Sequence, residues 1–198
     1  MEINLARKIL KEQLSPELFL HCCGVESIAA KLAAAYGADE EKASLAGLLH
    51  DYGKKYSHQV LAEYAIKYGI AEQIALQEPA LLHAPVGAFL LQQELGINDQ
   101  EILEAVRRHT TGGTRMTLLD KIVYLADYIE PERDHPGVYS IRKIAFHDLT
   151  EALLGMTEMT VKHVFEQGKI LHPDSIAFRN SLILQKRPTK QELQAYET

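Results

Sequence analysis

Apolar residues recur every three to four positions along most of this chain, and no segment alternates in the way a half-buried strand requires. That spacing predicts helices nearly everywhere. Glu2 to Gln13 reads as a short amphipathic helix, and Ser15-Pro16 supplies the N-cap and first-turn proline of the next. Val25, Ile28, Ala29, Leu32, Ala33 and Tyr36 form a stripe that Gly37 ends. Asp39 caps a helix expected to run through Lys54. Ser57 caps another, His58 to Tyr68, which Gly69 closes. Pro85 starts a helix that finishes before Gly96, and Asn98 or Asp99 caps one through His109, broken by Gly112-Gly113. Thr117 to Glu130 is strongly amphipathic and stops at Pro131. Residues 133–138 form a loop. A long helical region follows from Tyr139 to Gln167, with an interruption expected at Gly155. After the turn from Gly168 to Asp174, a last helix spans Ser175 to Gln185. The expected architecture is all-α: one helical domain over residues 1–185 and a polar tail over 186–198.

Several polar residues sit on the apolar sides of these helices. His21 extends the Val25-Ile28-Ala29-Leu32 stripe. His50 continues a face of Ala43, Ala46 and Gly47, small residues that leave room for an ion or a close neighbouring backbone. Lys54 follows His50 by four and Asp51 by three, so it shares their side. His83 lies in line with Val86 and Leu90, and His109 completes Ile102, Ala105 and Val106. Asp127 sits at the margin of the Leu119-Ile122-Val123-Ala126 stripe. Each of these histidines alone reads as a hydrogen-bonded core residue, Asp127 alone as a salt-bridged acid, and Lys54 alone as a solvated cation. Together they are more economically satisfied by a metal than by six separate sets of partners. Imidazole with carboxylate and no thiolate suits iron, manganese, cobalt or zinc. Six candidate ligands exceed one tetrahedral site. Two metals bridged by one carboxylate, or one metal with spare histidines facing a phosphate, both fit that number.

Composition narrows the partners. The chain has 198 residues, 46% hydrophobic and 24% charged, with a formal net charge of -6. This size buries a full core without staples. The acidic balance argues against nucleic acid as a bulk polyanionic partner, but not against a small nucleotide held by a metal and a few cations. Cys22 and Cys23 are adjacent and lie outside any C-x-x-C pattern, so they read as small core residues in a reducing cytosol. The N-terminus shows no signal-peptide pattern, and no stretch is counted as a membrane span. The expected location is cytoplasmic, and an apolar helix face could support a homodimer.

The order H…HD…H…H…D, with Lys54 three residues after Asp51, resembles the HD-domain superfamily of metal-dependent phosphohydrolases. HTTG at His109 to Gly112, ADYIEP at Ala126 to Pro131 with Arg133, PGV at Pro136 to Val138 with Arg142, and HPD at His172 to Asp174 resemble its YqeK branch. The resemblance covers about Leu18 to Leu184. It implies a symmetrical bis(5'-nucleosyl)-tetraphosphatase cutting the central bridge of diadenosine tetraphosphate, a small-molecule dinucleotide, to two ADP. It further implies that His21, His50, Asp51 and Asp127 hold a primary metal, iron foremost. His83 and His109 would complete a second metal site or contact phosphate. Asp51, Lys54, His83 and His109 would form the catalytic set. Lys54, Thr110 and Arg133 would hold phosphate oxygens, and the turn Lys169, Ile170, Leu171, His172, Pro173, Asp174 would close over the nucleoside. One departure stands out: Leu18 occupies the place of a family arginine, which removes one phosphate or ribose contact. The alternatives are an HD phosphohydrolase acting on a guanosine alarmone or a deoxynucleotide, and a nucleotide-binding sensor with little turnover.

Overall fold

The longest apolar stripe becomes the central helix. In the computed structural model, which describes residues 1–70 and 72–187, α2 spans Pro16–Tyr36. The Ser15 hydroxyl accepts the Leu18 N–H at its start, and Gly37 ends it at φ 72° in the left-handed region. Val25, Ala29, Leu32 and Ala33 are buried along one face. This helix is also long and apolar enough by composition to cross a membrane, with a mean hydropathy of 1.4 over its best window. That corrects the sequence count, which found no such stretch. Here the helix packs instead against α3 (Glu40–Leu49) and α8 (Leu118–Ile129).

The other helices wrap this centre, and no strand occurs among the described residues. α1 (Ile3–Gln13) lies on α3. α6 (His83–Leu95) packs on α7 (Gln100–Arg108), and α7 packs on α8 and α3. α4 (His58–Tyr68) and the short α5 (Gln73–Gln77) lead into α6. α9 (Val138–Ile144), α10 (Leu149–Glu166) and α11 (Pro173–Lys186) close the far side. Caps follow the sequence signals closely. Asp39, Ser57, Asp99 and Thr117 each accept a first-turn N–H, and Thr117 with Asp120 forms a reciprocal capping box. The fold is all-α, as the periodicity implied. The expected polar tail lies, from residue 188 on, outside the described residues.

Three boundaries differ from expectation. The helix opened by Asp39 does not reach Lys54. It ends at Leu49, Asp51 takes φ −99° and ψ 16°, and Tyr52–Lys55 forms a separate 3-10 turn. Gly53 explains the break: a Cβ there would collide with the His83 carbonyl, so this turn is pressed onto the start of α6. That helix in turn begins at His83, two residues before Pro85. In the third case α10 runs unbroken through Gly155, where a Cβ would stand 2.9 Å from Ile141 Cδ1. The interruption falls instead at Ala145–Asp148, and Asp148 recaps the chain through the Glu151 N–H.

Candidate metal centre

Four helix ends and one helix face aim polar side chains at a single point. His21 comes from the first half of α2, His50 and Asp51 from the broken end of α3, His83 from the start of α6, His109 from the end of α7, and Asp127 from α8. His50 and Asp51 are fully buried, and His83 and His109 nearly so. Asp51 stands in the middle and faces two ways. Its Oδ2 lies 3.3 Å from His50 Nε2 and 3.5 Å from His21 Nε2. Its Oδ1 lies 3.3 Å from His83 Nε2 and 3.4 Å from His109 Nε2. Asp127 Oδ1 joins the first group, 3.2 Å from His21 Nε2 and 3.8 Å from His50 Nε2.

The imidazoles are oriented from behind. His50 Nδ1 donates to the Gly47 carbonyl at 2.8 Å, His83 Nδ1 to Ala80 at 2.7 Å, and His109 Nδ1 to Val106 at 2.6 Å. A carbonyl can only accept, so each Nδ1 carries a proton and Nε2 is the ring atom turned inward. His21 Nδ1 donates to the Glu130 carboxylate at 3.1 Å. Backbone and carboxylate partners of this kind fix tautomer and ring orientation at metal-ligating histidines.

The inward geometry is one that hydrogen bonds alone do not satisfy. His83 Nε2 and His109 Nε2 face each other at 3.0 Å, and His21 Nε2 and His50 Nε2 at 3.1 Å. Asp51 Oδ1, fully buried, has no hydrogen-bond partner. The Thr110 hydroxyl, 3.1 and 3.2 Å from the His83 and His109 nitrogens, can donate to only one of them. Imidazole nitrogens that converge around an unpaired buried carboxylate oxygen call for positive charge. The buried carboxylates also shift the groups around them. Burial alone would lower the His21 pKa, but Asp127, Asp51 and Glu130 outweigh it and raise it to about 9. Burial pushes His83 down to about 3 against the pull of Asp51. Burial opposes ionisation of Asp51, yet His50, His109 and His21 hold its carboxyl well below the usual range. Asp127 is likewise held low, against its burial, by His21, His50 and Arg133. The donor set therefore fits divalent metal, with His21, His50 and Asp127 as one compact group and His50, Asp51 and His109 as another.

Cations and cavities surround the centre. Lys54 Nζ bonds Asp51 Oδ2 at 2.6 Å from the 3-10 turn. Arg133 grips Asp127 through its carboxylate at 2.5 Å and its carbonyl at 3.0 Å. Both line a cleft of about 1140 Å³ together with His83, His109, Thr110 and Asp127. His172 and Asp174 line a smaller neighbouring pocket, of about 320 Å³, which also touches Thr110. Lys169, Ile170 and Leu171 border neither cavity, and Pro173 is the first residue of α11. Leu18 packs against the core.

Sequence reasoning gave no role to several contributors. Glu130 read as an ordinary helix end, yet it is 1% exposed and holds His21. Arg142 clamps the following turn, donating to the carbonyls of Ile129, Glu130, Pro131 and Arg133. His58, His135 and His163 also border the large cleft. An acid followed directly by proline at the end of an apolar helix was the one available signal for Glu130.

Comparison with known proteins agrees with this geometry. The HD domain family pattern matches residues 18–132. A Bacillus subtilis protein named bis(5'-nucleosyl)-tetraphosphatase, symmetrical, is 38% identical over 174 residues, covering 88% of this chain and 94% of its own. A protein of the same name from Halalkalibacterium halodurans is 37% identical, covering 94% and 100%. A crystal structure described as that of a predicted HD superfamily hydrolase involved in NAD metabolism, from Clostridium acetobutylicum, superposes with a TM-score of 0.89 at 38% identity. The match covers 94% of this chain and 99% of that one.

Proposed function

The chain belongs to the HD-domain family, and from that premise we infer that it is a symmetrical bis(5'-nucleosyl)-tetraphosphatase, hydrolysing diadenosine tetraphosphate to two ADP. The observation that carries the chemistry is Asp51, a buried carboxylate with one oxygen turned to each of two imidazole pairs and Oδ1 otherwise unpaired. His21, His50, Asp51 and Asp127 would hold a divalent metal, and His83 and His109 would share Asp51 in holding a second. Iron is the ion we propose first; nitrogen and oxygen donors also suit manganese, cobalt and zinc. When bound, such a metal supplies a Lewis acid that lowers the pKa of water and offsets phosphoryl charge.

The chain's own groups do the rest. One water is consumed: its oxygen bonds to a phosphorus beside the central bridge, the bridging P–O bond breaks, and both products leave as diphosphates. The side chains of Lys54 and Arg133 are partly exposed at the cleft and would take charge-assisted bonds to non-bridging oxygens. The Thr110 hydroxyl stands where it can donate to a phosphoryl oxygen beside His83 and His109. His83 Nδ1–H is held by the Ala80 carbonyl, which leaves Nε2 facing the centre. His172 and Asp174 would contact one nucleoside from the smaller pocket. The test is product analysis with purified enzyme and diadenosine tetraphosphate. Two ADP supports central cleavage; AMP with ATP would reject it.

A further inference from the structure

The larger cavity is lined by His83, His109 and Asp127 of the centre, the smaller lies beside it, and the two share Thr110. Their walls differ in kind. The smaller one carries Arg107, Arg108, Arg115, Thr111, His172 and Asp174, all able to hydrogen-bond. The larger one carries Tyr56, Tyr128 and Met159 on its wall, beside polar residues that include His58, His135, Lys162 and His163. Tyr128 meets the His135 ring edge-on at 4.5 Å, and its hydroxyl donates to Met159 Sδ at 3.4 Å. Met159 remains 36% exposed, so a thioether and an aromatic ring stand together on the cleft wall. Such a surface offers a π face and polarisable sulfur to a flat ring.

A substrate cut at its centre has a nucleoside on each side of the cut. If the bridge lies at Asp51, the two halves must depart in different directions, and only one of them can enter the smaller pocket. We propose that the wide cleft is the second nucleoside subsite, where the base stacks on Tyr128 and Met159. Two identical halves of one substrate are thus held by unlike surfaces, one lined by Arg107, Arg108 and Arg115 and one offering a stacking face. This rests on the reading that the chain hydrolyses dinucleoside tetraphosphates. It adds that the second nucleoside contributes binding through the cleft wall alone.

The experiment compares diadenosine tetraphosphate with adenosine 5'-tetraphosphate, which has one nucleoside and yields ADP and diphosphate on central cleavage. Stacking of one base changes binding by roughly tenfold or more. The wild-type KM should therefore be about tenfold lower for the dinucleotide. Tyr128→Ala and, on the more exposed side, Met159→Ser should each raise the dinucleotide KM toward the mononucleotide value. Both should leave kcat and the mononucleotide KM in place. Calorimetric titration of the metal-loaded wild type with ADP should give two unequal sites per chain, and Tyr128→Ala should keep one. A single ADP site in the wild type overturns the proposal, as does an equal effect of the substitutions on both substrates or no effect on either. Failure of the wild type to cleave the dinucleotide at all would instead remove the functional reading beneath it. Met159→Ser keeps the test decisive should Tyr128→Ala fold poorly.

Discussion

Glu130 Oε1 lies 3.1 Å from His21 Nδ1, although 109 residues separate them. The carboxylate is itself tied down. Its Oε2 accepts the Glu132 N–H at 2.8 Å, and Arg142 donates to its carbonyl. Gly24 on α2 makes room for it, since a Cβ there would stand 2.6 Å from Glu130 Oε2. The acid, the glycine and the arginine together aim one imidazole. Glu130→Gln keeps the shape but weakens the bond to Nδ1. Partners behind metal-ligating histidines are worth roughly 10–100-fold in metal affinity. The substitution should weaken metal binding by at least about tenfold at the low end of that range. Competition against a chelator of known affinity measures this, and turnover at saturating metal should recover. Wild-type affinity in this variant would show that Glu130 is only packing.

Asp51→Asn tests the centre directly. The amide is nearly isosteric but removes the negative charge that faces both imidazole pairs. Metal per chain should fall, and loss of several kcal/mol of charge stabilisation corresponds to a rate drop of roughly 100-fold or more. Elemental analysis beside product formation reads both quantities. Wild-type enzyme stripped by chelation should match the variant and regain activity when metal is restored. Full metal content with wild-type turnover in Asp51→Asn would remove Asp51 from the role given to it.

The four histidines were legible because each interrupts an apolar stripe, and a stripe fixes direction once the helix is known. His21 and His109 are of this kind. Asp127 was visible only at a stripe margin, where burial depends on neighbours such as Arg133. The break after Leu49 was not legible. Nothing local ends that helix; Gly53 is pressed against the His83 carbonyl, thirty residues further along. Gly155 misled for the opposite reason. A helix tolerates glycine when a neighbour fills the space, as Ile141 does here. Glu130 stayed hidden because a charged residue at a helix end is ordinarily solvated. Its burial comes from Gly24 on another helix. The cleft histidines His58, His135 and His163 arise on loops and helices far apart in sequence, so no spacing rule connects them.

Gly53→Ala follows from the same contact. The added methyl would meet the His83 backbone, which is the start of α6 and cannot swing away like a side-chain tip. Overpacking of this kind costs about 1–3 kcal/mol. Urea denaturation should show that loss. The Asp51–His83 relationship should loosen with it, so metal content should fall together with stability. Unchanged stability would mean that the turn can shift freely against α6.

The last prediction concerns a polar knot beside the site. Glu94 accepts from Tyr52 and Tyr56 at 2.7 Å each and from Lys55 at 2.7 Å, binding α6 to the 3-10 turn that carries Lys54. Partial burial works against its ionisation, but Lys55, Tyr56 and Tyr52 outweigh that and hold its pKa below the ordinary 4.5. A carboxyl whose folded pKa is depressed stabilises the fold above its unfolded value, and that stability is lost as pH falls through the folded value. Glu94→Gln should therefore cost about 1 kcal/mol at pH 7, once hydrogen bonds to a charged group are discounted for exposure. The gap between the two proteins should narrow as pH drops below about 4.5 and close at lower pH. Paired denaturation curves from pH 7 down to pH 3 measure it. A gap that stays constant across that range would assign the effect to packing rather than to the carboxylate charge.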